Sequence, residues 1–176
     1  EAELIKAKGR AYGMELMLKK SGRLNGWISY SFSKSERKTE SAHKLFTINN
    51  GQFYPSDFDK PHDFKLVMNY KTSARLNFSL NYVYTSGRPV TFPEGYYTIS
   101  NIPVIHYSEK NAYRIPDYKR LDISLNYDFS IKKTTRYESG ISFSVYNLLS
   151  NDNSYSVFFR SEQNVELAAY RVLLVN

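Results

Sequence analysis

Cysteine is absent from this chain of 176 residues, and so are long apolar runs. Without cysteine the fold cannot depend on disulfides or thiolate metal sites, although this absence identifies no cellular compartment. No stretch approaches the roughly 18 consecutive apolar residues of a transmembrane helix. No segment repeats with the 3.6-residue period of an amphipathic helix. These absences argue against a helical membrane protein.

Residue patterns typical of catalysis or metal binding are also scarce. The three histidines, His43, His62 and His106, lie far apart and lack metal-ligand spacing. There is no Gly-x-Ser-x-Gly motif and no phosphate-binding glycine loop. Asp57 and Asp59 have the spacing of paired carboxylates, but we interpret them as solvated loop residues. We predict no catalytic residues, no metal and no cofactor, and we interpret the chain as not an enzyme.

The formal net charge is +7, from 24 basic and 17 acidic residues. A nucleic-acid interface would cluster its basic residues on one face, often with stacking aromatics. Here they are mixed with acidic residues, as in the stretch from Lys34 to Glu40. The charge pattern therefore predicts no nucleic-acid partner.

What the sequence does contain is a repeated alternation of apolar and polar residues. Six segments carry an apolar residue at every second position, with no charge among them. Those positions are Tyr12, Met14, Leu16, Leu18; Leu24, Ile28, Tyr30, Phe32; Phe64, Leu66, Met68, Tyr70; Leu76, Phe78, Leu80, Tyr82, Tyr84; Leu121, Ile123, Leu125, Tyr127, Phe129; and Ile141, Phe143, Val145. Because successive strand side chains point to opposite faces, the pattern predicts six strands with one apolar and one polar face. A transmembrane β-barrel wall needs these two faces.

The connections between the six segments alternate between short and long. Ser21–Arg23, Thr72–Ala74 and Lys132–Arg136 are short, whereas residues 36–61 and 87–117 form long links. Outer-membrane barrels have short periplasmic turns and long extracellular loops. This alternation of loop length predicts strands that run alternately toward the periplasm and toward the cell exterior. Their predicted ranges are residues 11–20, 24–35, 63–71, 75–86, 118–130 and 138–149. None of these segments contains proline, which cannot donate a hydrogen bond to a sheet.

The main alternative is a soluble β-sandwich, whose strands also alternate. The length of the segments, the loop rhythm and the tyrosines near the ends of the apolar stripes favour a membrane wall. Six strands fall below the usual minimum of about eight for a membrane barrel. We therefore expect further strands from a longer chain or from partner chains. A first residue other than methionine also leads us to expect a longer chain.

The chain resembles the C-terminal part of a TonB-dependent outer-membrane receptor of the type abundant in Bacteroidetes. The stretches that carry the resemblance occur in the family's order. They are Gly9–Leu16 (GRAYGMEL), Gly26–Ser33 (GWISYSFS), Asp59–Phe64 (DKPHDF), Thr85–Pro89 (TSGRP), Tyr113–Asp122 (YRIPDYKRLD) and Ser144–Leu149 (SVYNLL).

The resemblance implies an all-β, antiparallel fold in which residues 1–176 form a partial barrel domain. The parent barrel would have about 22 strands. This chain would supply about six long strands and the start of a last one. It would stop at Leu173–Asn176, before the final strand, and would lack the plug domain. The parent would lie in the bacterial outer membrane and import a scarce nutrient. Its partners would be membrane lipid, its own plug domain, the TonB complex through an N-terminal region and a surface lipoprotein.

Two groups of residues are candidates for binding. Aromatic residues beside an arginine in the second long link suit a sugar, a siderophore or a peptide, with self-packing of the loop as the alternative. These are Phe92, Tyr96, Tyr97, His106, Tyr107, Tyr113 and Arg114. Residues of the polar face would dock a plug, or would simply pair along the wall. These are Glu15, Trp27, Asp63, Lys65, Arg120 and Asp122.

Two other functions stay open from the sequence. One is an outer-membrane barrel with a structural, secretion or adhesion role. The other is a soluble β-rich binding module, in which the apolar face would pack on a second sheet. An upstream plug domain would favour transport over the first alternative, and the effect of a lysine on the apolar face separates a membrane wall from the second.

Overall fold

The fold of this chain is all-β, as the alternation predicts. The computed structural model describes residues 6–40, 47–100, 102–129, 139–154, 156–161 and 170–175. Within these ranges every paired strand is antiparallel to its neighbour. The strands are β1 (Lys6–Lys20), β2 (Leu24–Glu40), β3 (Tyr54–Pro55), β4 (His62–Lys71), β5 (Leu76–Thr85), β6 (Pro89–Val90), β7 (Pro93–Ile99), β8 (Ile102–Tyr107), β9 (Tyr113–Arg114), β10 (Tyr118–Asp128), β11 (Gly140–Val145), β12 (Ser156–Ser161) and β13 (Tyr170–Val175).

The main sheet contains all six predicted strands, in the order β1-β2-β4-β5-β10-β11, with β3 added beside β2. It is an open sheet whose edges are β1 and β11. The tight turns after β1 and β4 lie at one end, which we call the short-turn end. The two long links leave from the opposite end, which we call the long-link end.

The predicted bounds need three corrections. β1 begins at Lys6 and β2 ends at Glu40, so both strands are longer than predicted. Polar and charged residues continue the pairing of the two strands beyond the apolar stripe. The sixth strand ends at Val145, and a turn follows in which Asn147 has a φ of 51°. Residues 130 and 138 and the predicted turn Lys132–Arg136 lie outside the described residues.

The long links contain strands that the sequence reading did not anticipate. In the second link β6 pairs with β9, and β7 pairs with β8 in a hairpin. Beyond the main sheet, β12 and β13 form a separate pair, and Leu173 belongs to β13. The described residues include no helix that is long and apolar enough to cross a membrane.

The register of the main sheet aligns the apolar stripes into continuous rows. One row crosses five strands through Leu18, Ile28, Leu66, Tyr82 and Leu121. The rows on the opposite face carry the polar and charged residues, as in the row Glu15, Ser31, Asp63, Thr85 and Tyr118, with a few apolar residues such as Val67 and Val83 among them. A shift of one residue between any two strands would mix the faces. The observed register therefore preserves the two-faced character that the alternation predicts.

The apolar face has no covering layer among the described residues. Tyr54 and Ile115 are the buried hydrophobic residues of the described chain, and both lie in the long links. Stripe residues stay open, with Leu16 54% exposed, Leu18 60% exposed and Phe143 69% exposed. A soluble sheet of this size would bury one face in a core. The apolar face therefore needs a cover from outside the described chain.

Candidate functional site: two sheet faces and a polar cluster between the long links

The apolar face is bordered by aromatic residues at both ends. At the long-link end the Tyr30 hydroxyl lies 2.8 Å from Nδ1 of His62, and the Phe32 ring lies 5.5 Å from the His62 ring. At the short-turn end the rings of Tyr127 and Phe129 meet edge to face. Tyrosine and histidine combine an apolar ring with a polar atom, which suits a boundary between apolar and aqueous surroundings.

The polar face pairs its charges along individual strands. Lys65 Nζ lies 2.9 Å from Asp63, and Arg120 Nε donates to Asp122 at 2.8 Å. Each pair joins residues two apart on one strand, so the pairs do not bridge neighbouring strands.

The six polar-face candidates share one face, and four of them surround one depression. The register puts Glu15 and Asp63 in one row, and Trp27 and Asp122 two rows below it. A depression of about 370 Å³ is lined by Trp27, Lys65, Arg120 and Asp122. The sequence prediction that these side chains share a face agrees with this register. Whether a plug domain docks there stays a prediction.

The first long link folds back over the end of β2. Tyr54 is buried, and its hydroxyl lies 3.0 Å from Oγ1 of Thr39. Ser56 donates from its backbone N–H to the carbonyl of Ser35, and the Ser35 N–H donates to Asp59 Oδ1 at 2.6 Å. Ser35 and Thr39 belong to the polar-face positions of β2. The link thus caps the polar face at the long-link end.

Arg114 ties the second long link to the first. Its Nη1 donates to the carbonyl oxygens of Asp59 and Gly87, each at 2.9 Å, and its Nη2 donates to the Asp59 carboxylate. Asp59 is only 2% exposed. The interpretation of Asp59 as a solvated loop residue is therefore wrong, because its carboxylate is enclosed between two backbone segments and a guanidinium.

Two asparagines complete the connection between the links. The side-chain amide of Asn111 donates to the Pro55 carbonyl and to Asp57 Oδ1, each at 2.8 Å. The side chain of Asn49 accepts from the Lys110 N–H at 2.8 Å and donates to the Lys110 carbonyl at 3.0 Å. We call Asn49, Asp57, Asp59, Lys110, Asn111 and Arg114 the inter-link cluster.

The electrostatics of the cluster favour an ionised Asp57. The hydrogen bond from the Asn111 amide, together with the positive charges of Lys110 and Arg37, holds the pKa of Asp57 below its ordinary value, against the opposing effect of burial. The two cations lie 3.6 and 3.9 Å from the carboxylate. The charge of Asp57 therefore contributes to holding the links together at neutral pH.

Gly87 lies beside the inter-link cluster, where two backbone segments approach closely. Its φ is not positive, but a Cβ at this position would overlap the carbonyl oxygen of Ile115. Close approach of two backbone segments, beside the Gly87 carbonyl that Arg114 binds, is what requires glycine.

The seven loop candidates do not converge on one surface. Phe92 and Tyr113 contact each other edge to face at 5.1 Å, and the Tyr113 hydroxyl donates to Glu94 at 2.9 Å. This hydrogen bond raises the pKa of Tyr113 above its ordinary value. The contact agrees with the alternative that the loop packs on itself.

The remaining candidates divide between the hairpin and the inter-link cluster. In the β7–β8 hairpin the register pairs Tyr96 with Ile105 and Tyr97 with Val104, so Tyr96 and Tyr97 point to opposite faces. His106 follows the face of Val104, and Tyr107 follows the face of Ile105. The guanidinium of Arg114 donates to Asp59 and Gly87 and so belongs to the inter-link cluster.

A larger cavity lies at the long-link end beside the polar face. Its volume is about 680 Å³, and its lining includes Lys60, Ser86, Arg88, Tyr118 and Asn153. The sequence reading missed this cavity because its walls come from four separate stretches of the chain. The sequence shows that the lining residues lie near the ends of predicted strands. It does not show which strand ends come together in the fold.

The described residues contain no group of three or more histidine, aspartate or glutamate side chains arranged to hold a metal ion. Comparison with known proteins gives no relative: no protein-family model, no curated protein and no solved structure matches this chain. The functional interpretation therefore depends on the geometry and on the sequence motifs.

Proposed function

We propose that the main sheet is a section of the wall of an outer-membrane β-barrel. The observation that carries this proposal is the uncovered apolar face, with its aligned rows and aromatic borders. Its stripe on β5 runs from Leu76 to Tyr84. Nine residues at about 3.3 Å each, tilted by about 40°, cover about 23 Å along a membrane normal. This is close to the apolar band of about 25 Å on outer-membrane barrels.

The occupant of the apolar face would be lipid, and the polar face would line the interior of the barrel. The charged pairs of the polar face would then meet water or a plug domain. The open edges of β1 and β11 would pair with further strands, because an unpaired edge is not tolerated in lipid. The long-link end would be extracellular, since long loops lie on that side of such barrels.

For the whole protein, we propose import of a scarce nutrient by a TonB-dependent receptor. The ordered motifs from Gly9 to Leu149 support this class, and a large cavity at the long-link end offers a place for ligand. A structural, secretion or adhesion role is the alternative within the barrel class. The wall geometry supports both equally, so the remainder of the protein decides between them.

Two experiments test the two levels of the proposal. For the wall, the full-length protein should stay with the membrane after an alkaline wash and should need detergent for extraction. A protein released as a soluble monomer would contradict the wall. For transport, removal of an N-terminal TonB-contact segment should abolish uptake while leaving the barrel in the membrane. Unchanged uptake, or a protein without a plug domain, would contradict TonB-dependent import.

A further inference from the structure

The first two strands carry a charged surface that continues the apolar face. The register from Lys6–Glu40 to Lys20–Gly26 has no shift, so even-numbered residues share one side of both strands. Beyond the aromatic border at Tyr12 and Phe32, the residues on that side change from apolar to charged. They are Lys6, Lys8, Arg10, Lys34, Glu36, Lys38 and Glu40, and we call them the charged extension.

Two glutamates hold the cations of the charged extension in fixed positions. Glu36 lies 2.6 Å from Arg10 and 2.9 Å from Lys34. Glu40 lies 3.0 Å from Lys8 and 2.8 Å from Lys38. Five cations and two carboxylates (5 − 2) leave a net charge of +3 on this surface.

Arg10 and Lys8 are more exposed than the glutamates that pair with them. The side chains of Arg10 and Glu36 are 51% and 9% exposed, and those of Lys8 and Glu40 are 68% and 43% exposed. The Arg10 guanidinium also lies 4.1 Å above the Phe53 ring, which fixes its orientation. At Arg10 an approaching ligand therefore meets the guanidinium before the Glu36 carboxylate.

The opposite side of the same two strand segments differs sharply. Its residues are Ala7, Gly9, Ala11, Ser33, Ser35, Arg37 and Thr39. Arg37 alone is charged there, and it faces Asp57 of the first link at 3.9 Å. Charge is thus concentrated on the side that continues the apolar face.

We propose that the charged extension binds phosphate groups of the lipid headgroups in the leaflet that surrounds the long-link end of the apolar face. This proposal rests on the proposed membrane wall and adds a specific lipid contact to it. Headgroup layers extend about 5–7 Å beyond the hydrocarbon on each side of a bilayer. Lys34 and Arg10 occupy the first two charged rows beyond the border, at about 3.3 Å per residue. They would reach phosphates at that depth, and guanidinium groups bind phosphate oxygens in a bidentate manner.

The test compares three ligands on the purified full-length protein in a non-ionic detergent, with native mass spectrometry as the readout. The probes are short-chain phosphatidic acid, short-chain phosphatidylcholine and inorganic phosphate. We expect phosphatidic acid to bind at least about tenfold more tightly than phosphatidylcholine, with the difference shrinking at high salt. The variant Arg10→Gln/Lys34→Gln/Glu36→Gln removes the two cations at headgroup depth together with the carboxylate that pairs with them. It should lose most of that difference.

A matched control removes two cations at the other end of the sheet. The variant Lys20→Gln/Lys71→Gln should bind phosphatidic acid as the unmodified protein does. Equal binding of both lipids, or a preference that survives in the first variant, would overturn the role of the charged extension while leaving the wall intact. Competition by inorganic phosphate at the same concentration as lipid would overturn lipid as the source of the phosphate. Binding of neither lipid would overturn the charged extension as a lipid site, whereas release of the protein in the alkaline wash would contradict the membrane wall.

Discussion

The two faces of the main sheet follow opposite chemistry, although the same six strands carry both. On the polar face, charged groups such as Asp63 and Arg120 have partners within the chain. The first long link covers this face at the long-link end. On the apolar face, the stripes carry no charge and nothing in the described chain covers them. The difference indicates that the chain pairs these charged groups itself and depends on its surroundings for its apolar groups.

The difference between the two faces is tested most strongly by placing a charge on each face at the same depth. Leu80 pairs with Ile123 in a central row of the apolar face, and Ser124 lies next to Ile123 on the polar face. We expect Leu80→Lys to cost about 2–4 kcal/mol of folding free energy in a bilayer. Ser124→Lys should change it by less than about 0.5 kcal/mol. Denaturant titration of the full-length protein in lipid vesicles measures both, and equal costs would contradict the assignment of the faces.

A second prediction concerns the polar bonds that join the long links. Arg114→Gln leaves the enclosed Asp59 carboxylate without its cation, so we expect a loss of about 2 kcal/mol in local stability. The readout is the rate of limited proteolysis within residues 86–117, which should rise. Asp59→Asn combined with Arg114→Gln should recover part of the loss, because no buried charge is then left unpaired. The exposed Arg75→Gln serves as the control, and proteolysis unchanged by Arg114→Gln would show that the inter-link cluster does not hold the links.

A third, smaller effect sharpens the description of the polar face. Asp122 accepts from Arg120 Nε and from the Asn147 N–H at 2.9 Å. Asp122→Asn keeps an acceptor for Asn147 but removes the ion pair, which is partly exposed. We expect a cost of about 0.5–1 kcal/mol in denaturant titration, against no measurable change for Asp128→Asn at the exposed end of the same strand. A cost above that of Leu80→Lys would reverse the ranking of the two faces.

The smallest expected effect is a pH dependence of the link contacts. The pKa of Asp57 is lowered in the folded chain, so its contribution is present at neutral pH and is lost as the pH falls below about 4, through the lowered value. Proteolytic protection of the links should therefore decrease over this range. Asp57→Asn should show weaker protection at neutral pH and a flatter profile. Identical profiles for both proteins would rule out Asp57 as the titrating group.

The strands of the main sheet could be predicted because their information is local. Alternation over nine or ten residues identifies a strand and its faces, and short turns such as Ser21–Arg23 place neighbours side by side. β1 and β2 were predicted too short because the apolar alternation stops at Tyr12 and Phe32. The backbone pairing of the two strands continues beyond these residues, to Lys6 and Glu40. The β7–β8 hairpin did leave a signal, since two stretches rich in aromatic and β-branched residues, Tyr96–Ile99 and Ile102–Tyr107, are separated in the sequence by only two residues.

The inter-link cluster could not be predicted, since its partners lie far apart in the sequence. Arg114 and Asp59 are separated by 55 positions, and Asn49 and Lys110 by 61. Local sequence marked Arg114 as a loop residue beside aromatics, which suggested ligand binding. Its partners become visible only when the two links are brought together at one end of the sheet, and the same holds for the cavity beside Lys60 and Asn153.

The most direct test of the account is a spin-label accessibility scan along β5, from Leu76 to Thr85, in the full-length protein reconstituted into bilayers. This chain has no cysteine, so each introduced cysteine is unique within it. The account predicts a period of two, with the even-numbered positions from Leu76 to Tyr84 open to dissolved oxygen and closed to a water-soluble relaxation agent. Even-numbered positions closed to both reagents would place a second protein layer on the apolar face and would contradict the membrane wall.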